Sequence, residues 1–344
     1  MSKKVLILGG AGFIGLGIAR FLGENRDHDI TIADLFTPGQ LDEDFNKVVL
    51  KFSITVVEGD FTKQESFKML GKDYDYIYML ASVVGVNRCI EEPHEVIRIN
   101  TALIQNVLQW ATECKNAGKI LFSSSSECYA AATDVFDFPV PTSETVPLTI
   151  SEIGHPRFTY AVTKMLGESA FLNYGKQFNF PVTVVRYQNI FGPRMGFKHA
   201  IPHLIQRFYE GEGPLFSIYG PDQTRAFCYL SDAAEGTVLA MENESADQEI
   251  FHIGSTDEIT IDNLTRTVGA EMGYKGDYVN ASTYPGSVSR RCPDIAKAID
   301  LLGYNPKVPW QDGLKESVLW YVNFFDSGQK IPSGGFQKPD ELKI

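Results

Sequence analysis

The 344-residue chain has the composition of an ordinary globular protein, with 44% hydrophobic and 22% charged residues. Its formal net charge of −12 excludes a general affinity for nucleic acid or for a membrane surface, because both polyanions would repel the protein on average. The length exceeds that of one average domain, which predicts two lobes or one large α/β unit with an appended part.

Five cysteines are scattered along the chain, and no pair has C-x-x-C spacing. Neither a disulfide framework nor a zinc knuckle is therefore indicated. The apolar run at residues 5–8 is far shorter than a signal-peptide core or the ~20 residues of a membrane span. We therefore expect a soluble, cytoplasmic protein with reduced thiols.

Short apolar runs alternate with helical patterns through the first half of the chain. Residues 5–8 and 30–33 predict the first two strands, and apolar residues at helical spacing lie between them. Further strands are predicted at 54–57, 76–80, 120–123 and 182–185, with long helices at 95–116 and 158–176. This alternation predicts an α/β protein with a doubly wound parallel sheet.

A glycine-rich turn at residues 9–15 joins the first strand to the first helix. Gly9 permits a tight turn, Gly12 lets the backbone approach a pyrophosphate, and Gly15 allows close helix–strand packing. The helix N-terminus then offers unpaired N–H groups to the anion. The turn predicts a Rossmann-like dinucleotide site.

An acidic residue, Asp34, follows the predicted second strand about 20 residues beyond Gly15. Its carboxylate suits hydrogen bonds from the adenosine ribose and would repel a 2′-phosphate, which predicts NAD rather than NADP. The alternative for Asp34 is a helix or turn cap. Asp60, at the end of the third strand, is a further candidate for contact with the adenine.

Tyr160 and Lys164 are four residues apart in a predicted helix and so share one face. An ammonium beside a phenol lowers the pKa of the phenol, and a positive nicotinamide ring acts in the same direction. Tyr160 is then suited to take a hydroxyl proton while hydride leaves the same carbon. The alternative is a simple pair on the helix surface. The catalytic interpretation is favoured by the serine run at 123–126, which follows a buried strand at the sheet edge where such folds bind ligands.

Together these motifs resemble the extended short-chain dehydrogenase/reductase family, in its NAD-dependent nucleotide-sugar epimerase, dehydratase and decarboxylase branch. The likeness spans residues 3–325. Besides the glycine turn, the serine run and the Tyr160/Lys164 pair, it rests on Leu80-Ala81-Ser82, Arg186-Tyr187-x-Asn189-x-x-Gly192-Pro193, Arg225-x-Phe227-x-Tyr229-x-x-Asp232 and Pro293-Asp294-x-x-Lys297-Ala298.

The resemblance implies a role for individual residues. Ser125 would hydrogen-bond the sugar O4 and hand its proton to Tyr160, and Lys164 would also bind the nicotinamide ribose. Glu127 is either an acid/base for C5 or a satisfied loop carboxylate. The further implied cofactor contacts are Gly9, Gly12, Phe13, Ile14, Gly15, Asp34, Asp60, Phe61, Leu80, Ala81, Ser82 and Ser123. The implied substrate contacts are Ser125, Ser126, Asn189, Arg194, His199, Arg225 and Arg291.

Members of this branch begin by oxidising C4 of a nucleotide-diphosphate sugar with tightly bound NAD. Epimerisation, decarboxylation or 4,6-dehydration then follows, depending on the pocket. Ser126 stands where dehydratases carry Asp, while Ser125-Ser126-Glu127 and Arg291-Cys292-Pro293-Asp294 resemble the decarboxylases. Met165 departs from the decarboxylases, so we expect a 4-epimerase or C4 dehydrogenase, with a decarboxylase of UDP-glucuronate type as the alternative.

The predicted domains are an NAD-binding domain at 1–187, a substrate lobe at 188–326 that is partly interleaved with the main sheet, and a flexible tail at 327–344. The helices at 95–116 and 158–176 resemble those that form dimer interfaces in the family, which implies a homodimer. His199 and His203 lack an evident third ligand, so no metal site is predicted. A non-catalytic NAD-binding regulator and an NADPH-dependent keto-sugar reductase are the less favoured functions.

Overall fold

Strands and helices alternate in the computed structural model, which describes residues 2–37, 39–114, 117–283 and 287–329. The described strands, in chain order, are β1 (Lys4–Leu8), β2 (Asp29–Asp34), β3 (Thr55–Glu58), β4 (Tyr76–Met79), β5 (Lys119–Ser125), β6 (Val182–Tyr187), β7 (Ile190–Phe191), β8 (Leu215–Tyr219), β9 (Thr224–Ala226), β10 (Cys228–Tyr229), β11 (Glu249–Ile253), β12 (Glu258–Thr260), β13 (Asp277–Ala281) and β14 (Arg290–Arg291).

The described α-helices, in chain order, are α1 (Phe13–Asn25), α2 (Glu43–Lys51), α3 (Val86–Glu91), α4 (Pro93–Glu113), α5 (Ala130–Phe136), α6 (Thr159–Phe178), α7 (Ala200–Glu210), α8 (Leu230–Glu242), α9 (Ile261–Glu271), α10 (Ala296–Leu302) and α11 (Trp310–Asp326). Short 3-10 helices lie at Gln64–Met69, Ser126–Tyr129, Pro156–Phe158 and Glu244–Ala246. Within the described ranges, every helix is too short or too polar to pass through a bilayer.

A seven-stranded parallel sheet forms the centre of the molecule, in the order β11-β6-β5-β4-β1-β2-β3. The strands inside the sheet are continuous apolar runs because helices cover both faces. The strand order reverses direction at β1, and ligands of such folds bind in the crevice at that point, beyond the carboxyl ends of the strands. The predicted Rossmann-like, doubly wound parallel sheet is confirmed.

Two hydrophobic cores cover the two faces of this sheet. On one face α1 packs against α8, around side chains such as Ile7 and Leu22. On the other face α4 packs against α6, around side chains such as Phe122 and Phe171. Packing of both helix layers against the sheet fixes the positions of the carboxyl ends of β1, β4, β5 and β6. These ends carry the predicted site residues.

A third core belongs to the second half of the chain, which we call the second lobe, where α7, α9 and α11 enclose Phe216, Leu264 and Leu314. Strand β11, from the same half, pairs with β6 in the central sheet. The predicted tail at 327–344 is described only as far as residue 329, so the segment 330–344 lies outside the described residues.

Candidate active site

The glycine turn forms a backbone cradle between β1 and α1. Gly9 has φ +85°, and a Cβ there would lie 2.5 Å from the Ala81 nitrogen. A Cβ on Gly15 would lie 2.4 Å from the Gly9 carbonyl oxygen. Gly12 is the N-cap of α1 and has no side chain to bond the first-turn N–H groups. These N–H groups therefore point at the cradle, as an anion-binding helix end requires.

Asp34 lies at the end of β2 beside this cradle. One carboxylate oxygen accepts a hydrogen bond from the Ala11 N–H at 3.0 Å and the other from the Leu35 N–H at 2.8 Å. Burial raises the pKa of Asp34, and these backbone hydrogen bonds oppose the rise. With a third backbone hydrogen bond, from Phe36, the carboxylate still has room to accept one from a ribose hydroxyl.

A cavity of about 1170 Å³ opens at the carboxyl edge of the sheet and continues under the second lobe. Its volume exceeds the ~300–1,000 Å³ of ordinary single-ligand pockets. The predicted site residues that line it are Gly9, Gly12, Phe13, Ile14, Gly15, Leu80, Ser82, Ser123, Ser125, Ser126, Glu127, Tyr160, Lys164, Asn189, Arg194, His199 and Arg291. The predicted cofactor and substrate residues therefore come together in one cavity.

Five predicted site residues are not among the described residues that line this cavity: Asp34, Asp60, Phe61, Ala81 and Arg225. The Asp60 carboxylate accepts hydrogen bonds from the N–H and hydroxyl of Thr62. Phe61 is buried, and the Ala81 N–H bonds the Leu8 carbonyl at 2.9 Å. Their assignments to the cofactor or the substrate stay predictions.

Tyr160 and Lys164 lie on one face of α6, as their spacing predicts. The Lys164 ammonium donates a hydrogen bond to the Ser123 carbonyl oxygen at 2.7 Å and lies 3.4 Å from the Ser123 hydroxyl. It also lies 5.5 Å from the centre of the Tyr160 ring. Burial lowers the pKa of Lys164 to about 8, so the amine changes charge close to neutral pH.

The phenol of Tyr160 lies deep in the cavity. Burial raises its pKa above the usual value, with smaller contributions from Cys128 and Glu127, while a hydrogen bond with Ser125 acts in the opposite direction. The Ser125 hydroxyl in turn accepts a hydrogen bond from the backbone N–H of Glu127 at 3.2 Å. Ser125 therefore links the loop after β5 to the phenol.

A charge cluster lies next to the phenol. The Glu127 carboxylate is 2.7 Å from the Arg291 guanidinium and 3.7 Å from that of Arg157. Burial raises the pKa of Glu127, but attraction to Arg291 and then to Arg157 outweighs burial and holds this pKa below its usual range. Glu127 is therefore ionised at neutral pH. The two cations and one anion leave a net positive charge in the cavity wall.

Arg157 was not among the predicted residues, because it belongs to no recognisable sequence motif. The 3-10 helix Pro156–Phe158 places its guanidinium beside Glu127. Lys198, Trp320 and Phe324 also line the cavity without having been predicted. Lys198 lies just before α7, and Trp320 and Phe324 lie one turn apart on α11, so only tertiary packing brings these residues to the cavity.

The other predicted substrate residues are held by contacts within the protein. Asn189 bonds the Ala226 carbonyl at 3.0 Å, and the Arg225 guanidinium donates to the carbonyls of Thr224 and Val288. His199 begins α7, and burial lowers its pKa. These contacts fix the side chains, but their role in binding stays a prediction.

Arg194 reaches the cofactor end of the cavity. Its guanidinium is 2.5 Å from the Asp42 carboxylate and 3.1 Å from the Gln40 carbonyl. A third contact, 3.5 Å long, leads to the carbonyl of Ala11 inside the glycine turn. This placement favours a contact with the dinucleotide side rather than with the sugar.

Residues 5–254 match the model of the NAD dependent epimerase/dehydratase family. The chain therefore belongs to this family and is an enzyme of its nucleotide-sugar branch, with NAD as cofactor. The backbone cradle, the free helix N-terminus and Asp34 fit this dinucleotide. Within the described residues, no group of three or more His, Cys, Asp or Glu side chains is placed to hold a metal ion.

Known relatives match over nearly the whole chain. The UDP-N-acetyl-alpha-D-glucosaminuronate decarboxylase of Bacillus cytotoxicus is 34% identical over 93% of this chain and 98% of that protein. UDP-glucuronic acid decarboxylase 1 of Xenopus tropicalis is 31% identical over 99% of this chain and 77% of that protein.

A solved structure gives the same fold. It is a mutant of UDP-glucuronic acid 4-epimerase from Bacillus cereus, in complex with UDP-4-deoxy-4-fluoro-glucuronic acid and NAD. It is 26% identical, with a TM-score of 0.82 over 93% of this chain and 99% of that chain.

Proposed function

We propose that this enzyme decarboxylates a UDP-hexuronate, after oxidising C4 of the sugar. The observation that carries the proposal is the cluster of Arg157, Glu127 and Arg291 beside Tyr160. Two guanidinium groups beside one carboxylate suit a further carboxylate on the sugar, because a buried carboxylate needs charged hydrogen-bond partners. A sugar with a neutral C6 hydroxyl has no use for two guanidinium groups at that position.

Three of the four predicted catalytic residues, Tyr160, Lys164 and Ser125, have separate roles at C4. Tyr160 takes the C4 hydroxyl proton through Ser125, and the Lys164 ammonium stabilises the phenolate that does so. NAD held by the glycine turn and Lys164 would supply a reversible hydride acceptor for C4. Asn189 and Arg225, near the second lobe, are proposed to hold the diphosphate.

The carboxylate leaves because the ketone at C4 turns the uronate into a β-keto acid. The C5–C6 bond breaks, its electron pair moves through C5 to the oxygen on C4, and C6 departs as carbon dioxide. Ser125 and Tyr160 hydrogen-bond the resulting enolate oxygen, and Lys164 supplies a positive charge nearby. A proton then adds to C5, so the net reaction consumes one proton and is redox-neutral.

The relatives support this choice over the 4-epimerase or C4 dehydrogenase that the sequence alone favoured. Both decarboxylases named above act on UDP-linked uronates, as their names say. The second candidate is 4-epimerisation of a UDP-hexuronate, supported by the structural likeness to UDP-glucuronic acid 4-epimerase. Both reactions begin with C4 oxidation and differ in the fate of the carboxylate.

The proposal is tested by incubating the purified enzyme with UDP-glucuronate, UDP-N-acetylglucosaminuronate and UDP-glucose and following products by NMR. We expect a UDP-pentose or its acetamido counterpart and carbon dioxide from a uronate. A 4-epimer with its carboxylate intact would establish the second candidate. Turnover of UDP-glucose alone would refute the carboxylate-binding role of the cluster.

We also propose a homodimer formed through α4 and α6. Both helices expose apolar side chains, among them Ile97 on α4 and Val162 and Leu166 on α6. Such side chains next to each other on paired helices favour burial against a second copy. Sedimentation equilibrium that gives the mass of a single chain would refute the dimer.

A further inference from the structure

The carboxylate of Glu168 lies one helical turn beyond Lys164 on α6, directly behind the catalytic residues. The residue is only 3% exposed. Its carboxylate accepts a hydrogen bond of 2.5 Å from the Ser124 hydroxyl and two of 2.8 Å from the Arg186 guanidinium. All of its strong contacts are therefore made inside the protein, and the proposed mechanism uses none of them.

The partners of Glu168 come from two neighbouring strands at matched positions. Ser124 on β5 and Arg186 on β6 are paired residues in the sheet register. A single carboxylate on α6 thus fastens this cross-strand pair to the helix that carries Tyr160 and Lys164. The arrangement fixes three elements at one point, which two-residue ion pairs on a surface do not achieve.

Ser124 stands between the two serines that the site uses. The Ser123 carbonyl takes the hydrogen bond from the Lys164 ammonium, and the Ser125 hydroxyl contacts Tyr160. A shift of the end of β5 would move both groups at once. Catalysis tolerates such shifts poorly, because displacements near 1 Å at the reacting groups cost rate steeply.

Glu168 also determines the charge around the Lys164 ammonium. Two groups that face it raise its pKa against the effect of burial: Cys128, from the 3-10 helix Ser126–Tyr129, and Glu168. Burial raises the pKa of the Cys128 thiol to about 12, so this thiol is neutral at physiological pH. The phenol of Tyr160 is neutral before it reacts, and the cation of Arg186 is matched by Glu168 itself. Among these described groups, Glu168 is the one whose interaction with Lys164 favours a charged lysine.

We propose that Glu168 is a positioning residue of this active site, which holds the end of β5 against α6 and keeps Lys164 charged at neutral pH. The inference rests on the proposed role of Tyr160 and Lys164 in C4 oxidation. It assigns to the buried Glu168–Arg186 pair a task in catalysis beyond stabilising the fold.

The test compares Glu168→Gln with the double variant Glu168→Gln/Arg186→Met. The single variant keeps an oxygen for Ser124 but leaves a buried guanidinium unpaired, which is strongly destabilising. The double variant removes both charges and keeps the bulk, so it serves if the single variant does not fold. The matched control is Glu242→Gln, which breaks a bidentate pair with Arg26 where α1 and α8 end, away from the cavity.

The readout is the pH profile for reduction of bound NAD by the sugar, followed in single turnovers by its absorbance. In Glu168→Gln, we expect the alkaline limb to move down by about 1 pH unit, because the lysine loses a nearby opposite charge. The double variant also loses the opposing charge of Arg186, so its limb moves down by less. At pH values above the pKa of the wild-type alkaline limb, the rate of Glu168→Gln is then roughly tenfold lower than that of the wild type. At pH values well below the pKa of the variant limb, the two rates differ little. The control keeps the wild-type profile.

An unshifted limb in folded Glu168 variants, or an equal shift in Glu242→Gln, would overturn the inference. A second measurement needs no sugar: NMR titration of the Lys164 side chain in lysine-labelled holoenzyme, assigned with Lys164→Met. If no nucleotide sugar reduces the bound NAD of the wild type, the proposed function fails, and this titration still decides whether Glu168 keeps Lys164 charged.

Discussion

The phenol of Tyr160 illustrates how far a single residue depends on its surroundings. In the protein without substrate, burial raises its pKa, which opposes the role of a base. The groups that act in the other direction are the Ser125 hydroxyl and, when charged, the Lys164 ammonium at 5.5 Å from the ring centre. The phenol therefore becomes a base only as part of the assembled site.

Replacing Tyr160 with Phe tests this assignment. The variant loses the proton acceptor but keeps the ring, so we expect turnover to fall by about 10²–10⁴-fold, the usual contribution of a general base. The NAD content of the purified variant, read from absorbance after denaturation, should match the wild type. The exposed Tyr174→Phe on the same helix is the control, and full activity in Tyr160→Phe would refute the assigned base.

Substitution of Arg291 tests whether the cluster recognises the carboxylate of the sugar. The loss of its guanidinium in Arg291→Gln removes one charge-assisted contact of about 1.5–3 kcal/mol. We expect the kcat/KM for a UDP-hexuronate to fall by roughly 10–100-fold and that for a neutral UDP-hexose, where measurable, to stay within a few-fold. Arg290→Gln is a matched control, because Arg290 pairs with Glu258 at the surface. Equal losses on both sugars would contradict a carboxylate-specific role.

The buried side chain of His252 makes the free energy of unfolding depend on pH. Burial, and then the charge of Arg186, lower its pKa to about 3. Because the folded pKa lies below the unfolded value near 6.5, the unfolded chain binds the proton first as the pH falls. The stability that the neutral histidine contributes is complete above pH ~6.5 and is lost toward pH ~3.

We therefore expect the free energy of unfolding to fall by about 1.4 kcal/mol more per pH unit in the wild type than in His252→Gln, over most of this window. Urea denaturation at several pH values measures both slopes. His94→Gln, at an exposed position, should follow the wild type. Parallel curves for the wild type and His252→Gln would show that His252 is not the group responsible.

At the scale of elements, the turn between β1 and α1 has almost no room for side chains. Replacing Gly15 with Ala places a Cβ 2.4 Å from the Gly9 carbonyl, below any real contact distance. We expect weaker NAD binding, measured by calorimetry, and a lower melting temperature. Gly154→Ala is the control, since nothing lies within 4 Å of its added Cβ. An unchanged affinity in Gly15→Ala would contradict a backbone cradle for the pyrophosphate.

Elements buried on both faces were predictable from the sequence, because a parallel strand under two helix layers must be a continuous apolar run. The predicted strands at 5–8, 30–33 and 182–185 lie inside β1, β2 and β6. The predicted helix at 158–176 likewise corresponds to α6, which ends at Phe178. Local pattern and tertiary burial agree in these elements, so the pattern suffices.

The candidate site was predictable only where its residues follow such elements. Ser125, Tyr160 and Lys164 lie on or beside β5 and α6, so their convergence follows from the parallel sheet. Arg157 reaches Glu127 from a single 3-10 turn, Pro156–Phe158, which is too short to show a periodic pattern in the sequence. Arg194 was predicted at the substrate but lies by the glycine turn, because its position depends on contacts with residues about 150 places earlier.

At the scale of the whole molecule, two contacts join the Rossmann half to the second lobe across the cofactor end of the cavity. Arg194 pairs with Asp42, the N-cap of α2, at 2.5 Å. The Trp320 indole N–H, from α11, bonds the Asp44 carboxylate at 2.7 Å. All four residues line the cavity. Both contacts lie in the wall of the cavity that the glycine turn also lines, so we expect them to slow the release of bound NAD.

Replacing Trp320 with Phe removes the indole N–H and keeps an aromatic ring against Phe324. Losing one hydrogen bond to a charged group is worth about 1.5–3 kcal/mol when the bond must break before release. We therefore expect NAD to dissociate at least about tenfold faster, as measured by exchange against labelled NAD. Trp110→Phe is the matched control, because the buried indole nitrogen of Trp110 has no hydrogen-bond partner to lose. An unchanged rate in Trp320→Phe would mean that the cradle alone retains the cofactor and that the two lobes separate without restricting its exit.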